Sequence, residues 1–229
     1  MEKLIIVGLS TNARHAYEFV KYYDLYEIVG FAVNKEYKTE NTFKGLPVYT
    51  LETLDKHVKK SEVKLFIALL WNRLNADRRY LFETLSAEGW KFANLISPKA
   101  SIRGAIKGVN VWIHDNVVIQ NDTVIGNNVA IMAFTIIGAD SIVGNHCFFG
   151  ARSTLGGGCC VGEQCFIGMS CVVFDSTMIG KKCILGACTS IKRNVPDFTL
   201  CKTSSDDILI RQYSEKEIEN KLLYKANQR

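Results

Sequence analysis

The chain lacks any apolar run of the roughly 18 residues that a membrane span needs. Its first stretch, MEKLIIVGLSTNARH, lacks the layout of a secretory signal peptide, and LIIVG reads as an opening β-strand. The chain is therefore expected in the cytoplasm, where thiols stay reduced and disulfides are rare. It also lacks a dense basic patch. Lys and Arg number 28 against 23 Asp and Glu, a net charge of +5, which suits a small anionic ligand better than nucleic acid. Cysteine is absent from the first 146 residues, and all eight cysteines lie between Cys147 and Cys201. Tetrahedral zinc sites use Cys-x₂₋₄-Cys pairs, whereas the period here is six, so no metal is expected.

Two different patterns divide the sequence. Over residues 1–100, strand-like and helix-like segments alternate: KLIIVG (3–8), ARHAYEFVKYY (13–23), YEIVGFAV (26–33), an extended GLPVY (45–49), LETLDKHVKK (51–60), VKLFIALL (63–70), LNADRRYLFETLSAEG (74–89) and KFANLIS (91–97). Ala16, Phe19 and Val20 share one face of the first helix. Alternation of this kind predicts a parallel α/β, Rossmann-like layer domain.

Residues 101–196 show no helical pattern. From Ile113 to Ile191 every sixth residue, fourteen in all, is large and apolar, and nine of these are followed directly by Gly. Four residues after each anchor stands a small side chain, from Val117 to Val195. A six-residue apolar period means short strands joined by tight corners and stacked into a parallel β-helix. The anchor points into a narrow prism, the small residue fills the space beside it, and Gly after the anchor is expected to turn the corner. Cys147, Cys159, Cys165, Cys171 and Cys183 occupy the small inward slot and read as core residues. Cys160, Cys188 and Cys201 are off that register and have no neighbouring base. The repeat is expected to end at NVPDF (194–198). The tail, 197–229, is expected to carry a helix begun by Ser214 and Glu217 as a capping box.

An α/β half followed by hexapeptide repeats resembles the two-domain bacterial acetyltransferases of nucleotide-linked amino sugars, related to the sialic acid O-acetyltransferases. The resemblance implies a left-handed coil, a homotrimer, acetyl-CoA in the groove between neighbouring coils, and a nucleotide sugar held by the N-terminal domain. In that family a His base beside an acidic residue prepares the acceptor for attack on the thioester, and donors stabilise the oxyanion. On the matching stretch IIGADSIVG (136–144) the His falls on Ala139 and the acid on Asp140. An amine acceptor can attack as its free base, so the missing His favours N-acetylation of a 3- or 4-amino-dideoxy hexose, in surface-glycan (O-antigen, lipopolysaccharide) biosynthesis. Asp140, a main-chain N–H and His146 are the candidates to assist. The alternatives are sugar O-acylation and a non-catalytic protein that binds a nucleotide sugar.

By register, the family's cofactor-contacting residues fall on Phe148, where it has a second His, and on Gly157, Met169 and Ala187. Lys192, Arg193 and Lys202 are candidates for the CoA phosphates. The resemblance maps the nucleotide-sugar loop onto GLSTNA (8–13), with Gly8, Ser10, Thr11 and Asn12, joined by Asn34 after the second strand and Asn72 after the next long one. All of these stand beyond the carboxyl ends of strands, where open α/β sheets bind ligands.

Overall fold

The computed structural model describes residues 1–203, so the expected tail helix with Ser214 and Glu217 lies outside the described residues. The N-terminal unit runs β1 (Lys3–Val7), α1 (Thr11–Tyr23), β2 (Glu27–Val33), β3 (Thr42–Phe43), β4 (Leu46–Thr50), β5 (Val63–Ile67) and α2 (Asn72–Ala87). The sheet order is β3-β4-β2-β1-β5, parallel except for the β3–β4 hairpin. Both faces of β1 are buried, as expected of a central parallel strand. Leu4 and Ile6 pack with Ala13, Ala16 and Val20 of α1, while Ile5 and Val7 pack with Leu54, Phe82 and Leu85. The helix expected over 51–60 is instead a 3₁₀ turn, Leu51–Lys56. Its two buried residues, Leu51 and Leu54, are three apart, which matches the 3₁₀ period.

The second unit is a triangular left-handed coil. Each circuit takes eighteen residues, so Ala130 pairs with Phe148 and Phe148 with Phe166. The first face stacks strands from Leu95–Ile96 to Leu200–Cys201. The second runs from Ser101–Ile102 to Ser190–Ile191, and the third from Ala105–Ile106 to Met178–Ile179. All fourteen anchors and all fourteen small slots are 8% exposed or less. Cysteine serves in the slot much as Ser and Thr do. The thiols of Cys147, Cys159, Cys165 and Cys183 donate to carbonyls of the next circuit at 3.0–3.1 Å, and Thr123 and Ser141 make the equivalent bonds at 2.8 and 3.1 Å.

Two expectations about this coil are corrected. Gly after the anchor does not turn the corner. The left-handed corner residue comes two positions later, at every sixth position from Asn110 to Cys188. Gly is needed because circuits stack closely: a Cβ on Gly150 would lie 2.6 Å from the Met169 nitrogen. The coil also extends past both expected boundaries. Leu95–Ile96 already pairs with Trp112–Ile113, and Leu200–Cys201 pairs with Ile184–Leu185. Pro196 does not end it, because Ile184 meets Leu200 after sixteen residues and the last circuit closes by being two residues shorter.

The α/β unit rests on the first face, where Trp112, Ala130 and Phe148 join the core beneath α1 and β5. Around the prism, the first corner carries Asn110, Asn128, His146, Gln164 and Lys182. The second carries Asn116, Phe134, Arg152, Ser170 and Cys188. The third carries Asp122, Asp140, Gly158 and Ser176.

Candidate functional site

A cavity of about 660 Å³ opens beyond the carboxyl ends of β1, β2 and β5. Gly8, Ser10, Asn12, Asn34 and Asn72 line it; Thr11 is not among its lining residues. Gly8 has φ +126, a backbone state closed to other residues, and this lets the chain turn sharply from β1 into α1. Ser10 caps α1 without using its hydroxyl, so the hydroxyl and the first N–H groups of the helix stay open to the cavity. Asn34 is held from behind: Glu52 accepts the Lys35 N–H at 3.0 Å and stands 3.5 Å from the Asn34 amide. Burial alone would raise the Glu52 pKa, but the Lys35 and Glu52 N–H groups and the Asn34 amide bring it below the usual carboxylate value.

Next to the cavity is a turn with no clear sign in the sequence, of which Asn75 lines the wall and Trp71, Arg73 and Leu74 do not. Trp71, Arg73, Leu74 and Asn75 all have left-handed backbones, so the helix expected over 74–89 is preceded by a turn of opposite hand. Each such non-Gly residue costs about 1 kcal/mol. Hydrogen bonds hold the turn in place. The Trp71 N–H donates to Asn75 Oδ1 at 2.8 Å, Asn75 Nδ2 donates to the His146 carbonyl at 2.8 Å, and Gln164 Nε2 donates to the Leu74 carbonyl at 3.0 Å. Trp71, Leu74 and Asn75 are thus locked partly to each other and partly to the coil.

The coil residues named from the sequence fall in three places. Ala139, Asp140 and Gly157 stand at the third corner. Asp140 is exposed there, with φ 57. The Ala139 N–H donates to Gln120 Oε1 at 3.0 Å. The Gly157 N–H donates to Asp175 Oδ1 at 2.8 Å. Asp175 is a second carboxylate at this corner; it lies one circuit beyond Gly157, so the eighteen-residue step was the signal that could have found it.

His146 is not at that corner. It is 5% exposed at the first corner, beneath α2, with Nδ1 2.9 Å from Asn128 Nδ2, Nε2 3.9 Å from Glu83, and the Phe82 ring edge-on to it. Burial first, and then the Arg79 charge, push its pKa down to about 4, so the imidazole is neutral at pH 7. It therefore cannot act with Asp140 in the same chain, because a helix of the α/β unit covers it. Phe148 is likewise closed in on the first face. It is stacked on Phe166 at 5.1 Å and edge-on to Trp71 at 5.0 Å, while Met169 and Ala187 lie exposed beside the second corner. Lys192, Arg193 and Lys202 are exposed near the end of the coil, with Lys192 Nζ 5.5 Å above the Phe174 ring.

Among the described residues no group of three or more His, Cys, Asp or Glu could hold a metal ion, and no helix is long and apolar enough to cross a membrane. Two family descriptions match the coil: bacterial transferase hexapeptide (six repeats) over residues 122–157, and hexapeptide repeat of succinyl-transferase over residues 159–193. A search of curated protein sequences gave no match. Solved structures match across both units. A GDP-perosamine N-acetyltransferase from Caulobacter crescentus, a histidine-to-alanine variant in complex with CoA and GDP-perosamine, is 26% identical with a TM-score of 0.76, covering 87% of this chain and 93% of that one. The acetyltransferase domain of PglB from Neisseria gonorrhoeae is 23% identical with a TM-score of 0.77, over 87% and 96%. WeeI from Acinetobacter baumannii is 17% identical with a TM-score of 0.73, over the same shares. At those identities the last two speak for the fold alone.

Over residues 122–157 and 159–193 the chain carries the repeats that mark the hexapeptide-repeat, left-handed β-helix proteins. Within them it has the two-domain architecture of the bacterial amino-sugar acetyltransferases.

Proposed function

We propose that the chain is an acetyl-CoA-dependent N-acetyltransferase that acts on a nucleotide-linked amino sugar, a 3- or 4-amino-dideoxy hexose. The observation that carries this reading is the pairing of the lined cavity beyond β1, β2 and β5 with a hexapeptide coil whose third corner offers carboxylates but no imidazole. The fold shared with an enzyme that was solved holding CoA and GDP-perosamine supports it. The work is done in the cytoplasm and feeds surface-glycan assembly.

Acetyl-CoA supplies an activated acetyl group; the chain's own residues position the acceptor and handle its proton. The N-terminal turn and Asn12, Asn34 and Asn72 hold the nucleotide sugar. Asp140, exposed and held outward by its corner backbone, takes the proton that the amine must shed, directly or through water. A sugar hydroxyl at the same corner would need a stronger base than a carboxylate, and Ala139 provides none.

The active form is a homotrimer. Gly157 stands at the third corner while Met169 and Ala187 stand beside the second, so one copy alone cannot line a single groove with all three. The faces on either side of the third corner expose Ile136 and Val172, and Ile142 and Met178, apolar side chains suited to a neighbouring coil. Packing the third corner of one copy against the second corner of the next completes the groove.

The test is CoA-thiol release from acetyl-CoA with GDP-, UDP- and dTDP-linked 3-amino and 4-amino sugars, with product masses recorded. Release coupled to the gain of one acetyl group on an amino sugar is expected. Absence of turnover together with absence of CoA binding would leave the non-catalytic reading.

A further inference from the structure

Among the described residues Arg78 is the one Lys, Arg, Asp or Glu that is buried, at 1% exposure. It projects from α2 into the joint between the two units. Nε donates to the Ile67 carbonyl at 3.3 Å, Nη1 to the Asn128 carbonyl at 2.9 Å and Nη2 to the Asn110 carbonyl at 2.8 Å. One of these carbonyls ends β5, and the other two belong to successive circuits at the first corner of the coil. Among the described residues no carboxylate lies within 4.0 Å of the guanidinium. A buried cation without an anion is costly, and proteins rarely keep one for stability alone.

Arg78 also lines the cavity, and among the described residues it is the only Lys or Arg that does. Of the two lining carboxylates, Asp77 is paired with Arg73 at 3.1 Å, and Glu36 is exposed on the turn after β2. A guanidinium has five N–H donors, and the three bonds above leave two unspent. The cavity thus has a buried positive charge in its wall, the open first turn of α1 beyond β1, and, among the described residues, no carboxylate within 4.0 Å of that charge.

We propose that Arg78 is a specificity-determining residue whose counter-ion is the diphosphate of the nucleotide sugar. Because the same guanidinium clasps two circuits of the coil, filling the cavity also tightens the seat of the α/β unit on the coil. This rests on the nucleotide-sugar reading above and adds to it the charge class of the ligand and the residue that selects it.

Calorimetric titration of the full chain with GDP, GMP and guanosine, and with UDP, UMP and uridine, is the test. In the wild type one diphosphate should bind at least ~10-fold more tightly than its own nucleoside, the size expected of hydrogen bonds to a charged group. Arg78→Gln keeps an amide donor for the carbonyls but removes the charge. It should lose ~10- to 100-fold in diphosphate affinity and leave nucleoside affinity unchanged. Nucleoside and diphosphate binding equally well to the wild type would overturn the proposal, whether or not the variant folds. So would a folded Arg78→Gln that keeps the diphosphate preference. If either result came with normal acetyl transfer, the proposal alone would fall. If the wild type bound no nucleotide, the enzymatic reading would fall with it.

Discussion

The first and third corners of the coil share one backbone and have opposite fates. Both place a residue in the left-handed region every eighteen positions. At the first, the four residues under the α/β unit, Asn110, Asn128, His146 and Gln164, are buried at 5% or less, and the side chain of each is bonded to a neighbouring circuit or to that unit, whereas Lys182, one circuit further on, is exposed. At the third, Asp122, Asp140 and Ser176 are exposed. A hexapeptide period therefore builds equivalent corners, and the unit that covers one of them decides which side chains become joints and which stay available for chemistry. This is why a histidine at one corner is structural while a carboxylate at another is the candidate catalyst.

The comparison breaks most completely if the circuits cannot stack. Gly150→Ala places a Cβ 2.6 Å from the Met169 nitrogen, and a loss of ~3 kcal/mol or more is expected in a urea unfolding series. An unchanged midpoint would show that the circuits have slack. At the third corner, Asp140→Asn should lower kcat/KM by ~10²-fold, the usual scale of a lost proton acceptor. Stability should hold, since Asn tolerates the left-handed region. Full activity in this variant would remove Asp140 from the mechanism.

At the first corner the expectation reverses. His146→Ala should cost ~2 kcal/mol of stability through the cavity and the unpaired Asn128 amide, with kcat of the folded enzyme unchanged. Loss of turnover with an intact fold would instead make His146 catalytic. The folded pKa of His146, about 4, lies below the ordinary value of 6.5, so it is the unfolded chain that gains a proton between them. The stability it contributes is full above about pH 6.5 and is lost as pH falls toward 4, where Arg79 opposes and Glu83 and Glu163 favour its charging. Denaturation midpoints of His146→Gln should fall less steeply over that window than those of the wild type. The smallest effect belongs to the slots: Cys147→Thr should change stability by less than ~1 kcal/mol, because Thr123 and Thr135 already serve in the same place. In thiol labelling, exposed Cys188 should react before the five buried cysteines; fast reaction of Cys165 would mean the coil opens.

Much of this was legible in the sequence because it depends on local period. The anchors, the small slots and the placement of five cysteines follow from spacing alone. Gly8, Ser10, Asn12, Asn34 and Asn72 meet at one cavity because strand ends in a parallel sheet converge. What was not legible depends on contacts between distant segments. WNRLN contains no Gly, yet Trp71, Arg73, Leu74 and Asn75 take left-handed backbones because the coil's His146 carbonyl and Gln164 amide hold them there. Arg78 reads as one more charge on an amphipathic helix; only the docking of that helix on the first corner buries it. His146 and Phe148 repeat with the coil, but the period does not tell which face the α/β unit will cover.

The most direct test of the central claim is acetyl transfer to matched pairs of nucleotide sugars that differ only in an amine or a hydroxyl at the same carbon, run for the wild type and for Ala139→His. The account predicts that the wild type acetylates the amine and leaves the hydroxyl untouched, and that restoring the imidazole changes the amine rate by less than the ~10²-fold a missing base would require. A wild type inert toward every amine, and revived by Ala139→His, would contradict it.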